Sequence, residues 1–127
     1  MPSPLLPPPN PLRPQNSLEL LQQPFRLLVF EVLIDLEHQG FDPFVFETGR
    51  TDERQAVLVK KGASKRLRSL HQDGLAVDII DKIQGWKSEE FFLALAKSAE
   101  KVGLVSGHRW KWRDSAHIEA PKGFGTG

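Results

Sequence analysis

The chain has no cysteine among its 127 residues, and this absence limits how it can be stabilised and how it can bind metal. Neither a disulfide framework nor a zinc site built from thiolates is possible. A metal site would need histidine and carboxylate ligands, which zinc also accepts. The fold must therefore rest on its apolar core, with any bound metal as an added support.

The chain also lacks an excess of charge and a long apolar run. Seventeen basic and sixteen acidic residues give a formal net charge of +1, which argues against a nucleic-acid-binding surface. No segment reaches the roughly 18 consecutive apolar residues that a membrane span requires, so we expect no membrane insertion. The length and the 39% hydrophobic content suit one domain, which we expect to be a monomer.

Residues 1–16 form a proline-rich leader that holds seven of the ten prolines and almost no charge. Proline lacks the amide donor and disrupts helices, so the leader should be flexible and dispensable for folding, with a single domain over residues 17–127. The leader has neither the basic start nor the unbroken apolar run of a secretory signal. We therefore expect synthesis in the cytoplasm, without export by a signal peptide.

The apolar pattern of the domain predicts alternating helices and strands. Leucine and phenylalanine recur at intervals of three and four between residues 18 and 36, which indicates a buried helix, interrupted near Pro24 and capped by Gly40. A second helix is predicted over residues 52–60, after the N-cap Thr51, and a third from Lys87 to a stop at Gly103. Short strands are predicted over residues 44–46, 75–80, 104–105 and 117–119.

The run S-L-H-Q-D-G-L-A-V-D over residues 69–78 is the stretch that carries the most chemistry. It places an imidazole, His71, and a carboxylate, Asp78, around Gly74, which lets the backbone turn sharply. Both side chains are zinc ligands, and a catalytic zinc typically takes three protein ligands. A pair of this kind also occurs in ordinary solvated loops, so a wider pattern is needed.

A second run, W-K-W-R-D-S-A-H-I-E over residues 110–119, supplies that pattern. His117 is a candidate third ligand, and Asp114 lies three residues before it. Residues an odd number apart face opposite sides of a regular strand, so a turn or bulge must separate the two if both serve one metal.

Together the two runs match S-x-H-x-x-G-x-A-x-D followed by D-x-x-H. The chain thereby resembles the zinc peptidoglycan peptidases, which include D-Ala-D-Ala carboxypeptidases and the L-alanyl-D-glutamate endopeptidases of phage lysis. The run T-G-R-T-D-E-R-Q over residues 48–55, followed by Leu58, Gly62, Ser64 and Lys65, extends the resemblance, which covers residues 43–119. Gly49 stands where the family usually has an aromatic residue, and S-G-H-R-W over residues 106–110 replaces its W-G-G-x-W pattern.

The resemblance implies an α+β fold of the Hedgehog/D,D-peptidase type, in which a small antiparallel sheet carries the site and helices pack on it. By the same resemblance, Zn²⁺ is bound by His71, Asp78 and His117. Asp114 is the general base, and Arg50 contacts the developing oxyanion or a substrate carboxylate. Candidate substrate contacts are Ser69, Gln55, Trp110 and His108, and Glu119 is a candidate hydrogen-bond partner of a ligating imidazole.

The implied activity is zinc-dependent hydrolysis of a peptide bond in the peptidoglycan stem peptide. An L-alanyl-D-glutamate endopeptidase acting on the wall in cell lysis is preferred, because the chain has both the T-x-R-x-x-x-R-Q run and the D-x-x-H base. The alternatives are a D-Ala-D-Ala carboxypeptidase and a non-catalytic zinc-bearing module that binds the wall. Asp114 argues against the second alternative, since a purely structural zinc needs no base.

Overall fold

The structure is a computed structural model that describes residues 10–64 and 68–124. It contains three helices, α1 (Gln23–His38), α2 (Asp52–Lys60) and α3 (Glu89–Lys101), and four strands, β1 (Pro43–Glu47), β2 (Ala76–Asp81), β3 (Val105–Ser106) and β4 (His117–Glu119). Short 3₁₀ turns span Leu18–Leu20, Leu70–Asp73 and Gly107–Arg109. Within the described ranges, the predicted order of helices and strands is confirmed.

The four strands form one antiparallel sheet in the order β1-β2-β4-β3. In its register, Glu47 of β1 and His117 of β4 are both partners of Asp78 on the central strand β2. One row of the sheet therefore presents three charged or metal-binding side chains side by side. The predicted α+β fold with a small antiparallel sheet is confirmed.

Helix α1 begins at Gln23, with Pro24 in its first turn, instead of being interrupted at Pro24, which corrects the sequence prediction. Gln22 is the N-cap and Pro24 occupies the first turn, where its missing amide costs nothing. The preceding residues form the separate 3₁₀ turn Leu18–Leu20. Gly40 follows the helix at φ 91°, as a helix-terminating glycine does.

The core lies between the sheet and the helices α1 and α3. Helix α3 is capped by the Ser88 hydroxyl, which accepts from the Phe91 amide, and it contacts α1, β2 and β3. The largest fully buried apolar side chains are those of Phe25, Phe91, Leu21, Leu36, Ile79, Leu95 and Ile118. In the part of the chain that is described, no helix is long and apolar enough to cross a membrane.

The second half of the proline-rich leader contacts the domain. The carbonyl of Gln15 accepts a hydrogen bond from the Thr48 amide (2.6 Å), and the Leu12 carbonyl accepts one from Arg54 Nη1 (3.1 Å). The expected independence of the leader is therefore not seen for residues 10–15. Residues 1–9, and Lys65 of the family pattern, lie outside the described residues, and the boundary at residue 16 stays a prediction.

Candidate metal centre and active-site cleft

His71 is presented by a tight 3₁₀ turn whose two ends are fixed by the local sequence. The Ser69 hydroxyl accepts from the His71 amide (3.2 Å), and the Gln72 side chain accepts from the Ser69 amide (2.7 Å), which makes a capping box. Gly74 ends the turn at φ 70°, and a Cβ there would lie 2.7 Å from the Leu20 carbonyl oxygen. Glycine is required at this position for both reasons, as the sequence suggested.

Asp78 and His117 are brought together by the pairing of β2 with β4. They are direct cross-strand partners, and the Oδ1 atom of Asp78 lies 3.2 Å from Nδ1 of His117. On its other side the same oxygen lies 3.3 Å from Nε2 of His71. The three predicted ligands therefore converge, with one ligand atom from each residue lying within 4.8 Å of the others.

Two of the three spacings between these atoms match those of a tetrahedral metal site. Ligand bonds of about 2.0 Å at tetrahedral angles put neighbouring ligand atoms about 3.3 Å apart, close to the 3.2 and 3.3 Å observed here. Nε2 of His71 is also buried and has no hydrogen-bond partner among the described residues. A lone pair that faces a carboxylate oxygen without a hydrogen between them is unfavourable, and a bound cation removes that cost.

Hydrogen bonds on the far side of each imidazole select the nitrogen that faces the site. Nδ1 of His71 donates to the Thr48 carbonyl (2.8 Å), which fixes the proton on that atom and leaves Nε2 unprotonated. Nε2 of His117 lies 2.7 Å from Glu119 Oε1, which leaves Nδ1 facing Asp78. Partners of this kind orient ligating histidines in metal sites, and Glu119 occupies the place that the sequence predicted.

The electrostatics of the site point the same way. Burial lowers the pKa of His117, but its hydrogen bonds to Asp78 and Glu119 outweigh that effect and raise the pKa to about 9. Burial likewise opposes ionisation of Asp78, yet the two imidazoles beside it hold the pKa of this carboxyl far below its usual range. The site thus attracts positive charge, which either a proton or a metal cation provides.

Asp114 lies beside this cluster in the turn that leads into β4. Its Oδ2 atom is 3.8 Å from Nδ1 of His117, and its backbone carbonyl accepts from the His117 amide (3.1 Å). The turn required by the odd spacing is therefore present, and both side chains face one site. Burial, together with the negative charge of Asp78, raises the pKa of Asp114 above its ordinary value.

The position of Asp114 depends on a close approach to Gly107. The Gly107 carbonyl accepts from the Asp114 amide (2.9 Å), and a Cβ on Gly107 would lie 2.3 Å from the Asp114 carbonyl oxygen. No side chain fits there, so this glycine fixes the distance of the turn from the strand end. The sequence motif contained the residue, but only the fold reveals what it touches.

Arg50 lies on the other wall of the cleft and is held by an ion-pair network. Its Nε and Nη2 atoms donate to the two carboxylate oxygens of Glu47 (3.1 and 2.8 Å), and Nη1 donates to the Gln55 side chain (2.8 Å). Arg54 binds the same carboxylate, so Glu47 is shared by two guanidinium groups. Burial alone would raise the pKa of Glu47, but the two arginines lower it overall, which keeps this buried group ionised.

Gln55 lies behind Arg50 instead of in the cleft. It is 1% exposed and donates to the Ser64 hydroxyl (3.1 Å) while accepting from Arg50. The predicted contact between Gln55 and a substrate does not fit this burial. Its position is that of a residue that orients Arg50.

The cleft between Arg50 and Asp114 has a volume of about 860 Å³ and contains the three candidate ligands. Ser69 and Trp110 both line it, and the Trp110 ring lies 5.2 Å from the His117 ring. Trp112, 70% exposed, lies at the same opening. A groove of this size has room for a short extended peptide across the metal site.

His108 is not among the residues that line the cleft, and its burial disfavours the predicted substrate contact, which stays a prediction. It is buried, its Nδ1 lies 2.9 Å from the Ser115 hydroxyl, and its Nε2 lies 3.3 Å from Glu89. These contacts tie the Gly107–Arg109 turn to the start of α3. Nearness in sequence to the site was the only signal that favoured His108, and the turn directs its side chain elsewhere.

The chain is similar to known proteins, although no family model matches it. It is 35% identical over 98 residues to the L-alanyl-D-glutamate peptidase of Listeria phage A118, a match that covers 71% of this chain and 34% of the relative. The chain thus spans about a third of the length of that curated relative.

Several solved structures share the fold, among them an endopeptidase and a pentapeptidase. The L-Ala D-Glu endopeptidase ChiX of Serratia marcescens superposes with a TM-score of 0.67 at 24% identity, covering 82% of this chain and 83% of ChiX. The resemblance to the peptidoglycan peptidases is confirmed. The D,D-pentapeptidase VanY, solved in complex with Zn(II), superposes with a TM-score of 0.63 at 17% identity, covering 79% of this chain and 72% of VanY.

Gly49, where these peptidases usually carry an aromatic residue, has a structural explanation in this chain. A Cβ at Gly49 would lie 2.9 Å from the Cβ of Leu20. The Leu20 side chain, from the 3₁₀ turn before α1, thus occupies the space that a side chain at position 49 would need. The segment before α1 therefore packs directly against the loop that carries Arg50.

Proposed function

We propose that this chain is a zinc-dependent peptidase that hydrolyses a bond of the peptidoglycan stem peptide during cell lysis. The preferred bond is the one between L-alanine and D-glutamate, because the curated relative and the structural neighbour of higher identity both carry that activity in their names. The observation that carries the proposal is the convergence of three ligand atoms beside a carboxylate in a peptide-sized cleft.

His71, Asp78 and His117 are the proposed zinc ligands, through Nε2, Oδ1 and Nδ1 respectively. Two imidazoles and one carboxylate are a donor set found in zinc hydrolases, which leave a fourth position open. A zinc ion held there would polarise a peptide carbonyl and acidify a water molecule. Thr48 and Glu119 then serve to orient the two imidazoles.

Asp114 is proposed to accept the proton of the attacking water and to return it to the leaving amine. Its Oδ2 atom lies 3.8 Å from Nδ1 of His117, which places the carboxylate beside the proposed ligands, where a general base for the attacking water is needed. Arg50 is proposed to bind the developing oxyanion or a substrate carboxylate. The Glu47 and Gln55 contacts hold its guanidinium in place before substrate binds, so the guanidinium needs little reorganisation during the reaction.

Ser69 and Trp110 remain proposed substrate contacts, since both border the cleft. Gln55 acts through Arg50, and Glu47 acts through the same guanidinium. A non-catalytic wall-binding module is disfavoured by Asp114, which a structural metal does not need. A D-Ala-D-Ala carboxypeptidase requires the same ligands and base, so the experiment below distinguishes the two activities by their products.

Digestion of purified peptidoglycan followed by mass spectrometry tests the proposal. We expect new amino termini on D-glutamate in the zinc-loaded protein and none in protein stripped with a chelator. Release of free D-alanine would identify a carboxypeptidase instead. Binding to the wall without any new terminus, by fully zinc-loaded protein, would contradict the peptidase assignment.

Replacement of Gly107 by alanine should lower turnover while zinc stays bound. The added methyl group would meet the Asp114 carbonyl at 2.3 Å, so the turn must move and carry the base with it. A displacement of about 1 Å at a catalytic group costs on the order of 10²-fold in rate. Zinc content and kcat are measured on the same preparation.

Gly40→Ala is the matched control for this variant. It adds a methyl group in open space at φ 91°, so it strains a distant helix end without contacting the site. We expect a lower melting temperature and an unchanged kcat. If Gly107→Ala behaved like this control, the close approach would have no part in placing Asp114.

A further inference from the structure

The segment before the first 3₁₀ turn, residues 10–17, lies along the loop that joins β1 to α2. We call this segment the strap. The Gln15 carbonyl accepts from the Thr48 amide (2.6 Å), and the carbonyls of Gln15 and Ser17 lie 3.1 and 2.7 Å from the Thr48 hydroxyl. Thr48 is fully buried beneath these contacts. The strap therefore fixes one residue of the site loop by both its backbone and its side chain.

Thr48 is also the residue that orients the first candidate ligand. Its carbonyl accepts from Nδ1 of His71 (2.8 Å), and the Arg50 amide donates to the His71 carbonyl (3.0 Å). The strap thus holds the amide side of Thr48, while the carbonyl side of Thr48 holds His71. Only one residue separates the strap from the imidazole that faces the metal site.

A second line of contacts runs from the strap to Arg50. The Pro11 carbonyl accepts from the hydroxyl of Thr51, which is the N-cap of α2, and the Leu12 carbonyl accepts from Arg54 (3.1 Å). Arg54 binds the carboxylate of Glu47 that also holds Arg50. The contact of Arg54 with the strap therefore also restricts the positions of Glu47 and Arg50.

The strap also lines a smaller cavity beside the same two residues. This cavity has a volume of about 370 Å³, and its lining includes Pro11 and Gln15 as well as Arg50 and His71. Without the strap, Arg50 and His71 would have more contact with water on this side. Water there would compete for the Thr48 and Arg54 hydrogen bonds and lower the cost of alternative side-chain positions.

We propose that the strap, residues 10–17, is a positioning element that orients His71 and Arg50, acting through Thr48 and Arg54. The catalytic part of this inference rests on the proposed peptidase function, whereas its effect on metal binding does not. Outer partners of metal ligands are typically worth about 10- to 100-fold in metal affinity or activity. We therefore expect about a 10-fold loss of zinc affinity when the strap is removed.

Two truncations test the proposal. Deletion of residues 1–9 leaves every strap contact in place, whereas deletion of residues 1–15 removes the carbonyls of Pro11, Leu12 and Gln15. Zinc affinity is measured by competition with a chromophoric chelator, far below the melting temperature of each protein. We expect the shorter deletion to match the full chain and the longer one to bind Zn²⁺ about 10-fold more weakly, with a lower kcat at saturating zinc.

A matched pair of substitutions tests the same link without truncation. Thr48→Val removes the hydroxyl that faces Gln15 and Ser17, and Thr48→Ser keeps it. We expect the valine variant to lose zinc affinity and the serine variant to retain it. This pair decides the question if the longer deletion does not fold, as judged by circular dichroism.

The results separate the strap from the peptidase proposal. If the full chain does not cleave peptidoglycan, the proposed peptidase function is wrong. The zinc affinities of the variants still test the strap in that case. A strap that only stabilises the fold would lower the melting temperature and leave the zinc affinity of the folded protein unchanged. Equal zinc affinities in both truncations, or in both Thr48 variants should the longer deletion not fold, would overturn the proposal.

Discussion

Replacing His71 with alanine is expected to remove bound zinc and, with it, all measurable wall cleavage. The variant keeps Asp78 and His117 but loses the buried nitrogen that has no hydrogen-bond partner among the described residues. Two protein ligands are fewer than the three that catalytic zinc sites use. The loss of affinity should exceed the about 10- to 100-fold that follows from changing an outer partner.

Metal analysis of the purified variant checks this expectation, together with circular dichroism to confirm the fold. His38→Ala is the matched control, because His38 lies in the last turn of α1 with an exposed side chain, and it should leave zinc content and turnover unchanged. Full zinc occupancy in the His71 variant would refute the ligand assignment.

The candidate ligands could be picked out from sequence because two local motifs each carry a distinctive pattern. The turn that presents His71 is encoded within six residues, from the cap Ser69 to Gly74 at φ 70°. The adjacency of Asp78 and His117 is different, since it depends on the register of two strands that lie 39 residues apart. From the sequence alone, only the resemblance to known peptidases indicates that the two motifs form one site.

The network behind Arg50 could not be predicted in the same way. Asp52 and Glu53 are acidic residues close to Arg50 along the chain. The structure uses Glu47 instead, which lies at the end of β1 and is 1% exposed. The end of β1 and the path of the following loop determine which acid pairs with Arg50. The pattern of charges along the sequence predicts neither of them.

The attachment of the strap could not be predicted from sequence, because it is made by backbone carbonyls. The bonds that Pro11, Leu12 and Gln15 make to the domain use main-chain oxygens, which every residue possesses. A proline-rich composition correctly excludes a helix, but it says nothing about whether an extended segment finds donors on a neighbouring surface. The composition therefore indicated a leader, and the fold showed that part of it is attached.

Asp114→Asn is expected to abolish most of the turnover while zinc remains bound. The substitution keeps nearly the same volume and leaves His71, Asp78 and His117 in place, but an amide cannot accept the proton of the attacking water. General-base assistance is typically worth about 10²- to 10⁴-fold, and the loss should appear in kcat with KM little changed. Steady-state kinetics on soluble wall fragments, with zinc content measured in parallel, give both quantities.

Asp42→Asn provides the matched control for this change of charge. Asp42 is exposed next to the start of β1, at the opposite end of the strand from Glu47, and should tolerate the substitution without effect on kcat. Glu119 is another carboxylate near the site, but it lies 2.7 Å from Nε2 of His117 and is occupied in orienting that ring. Its replacement by glutamine should therefore weaken zinc binding, whereas loss of Asp114 should not. If Asp114→Asn kept most of its rate with zinc bound, the proton would have to be taken by a group other than Asp114.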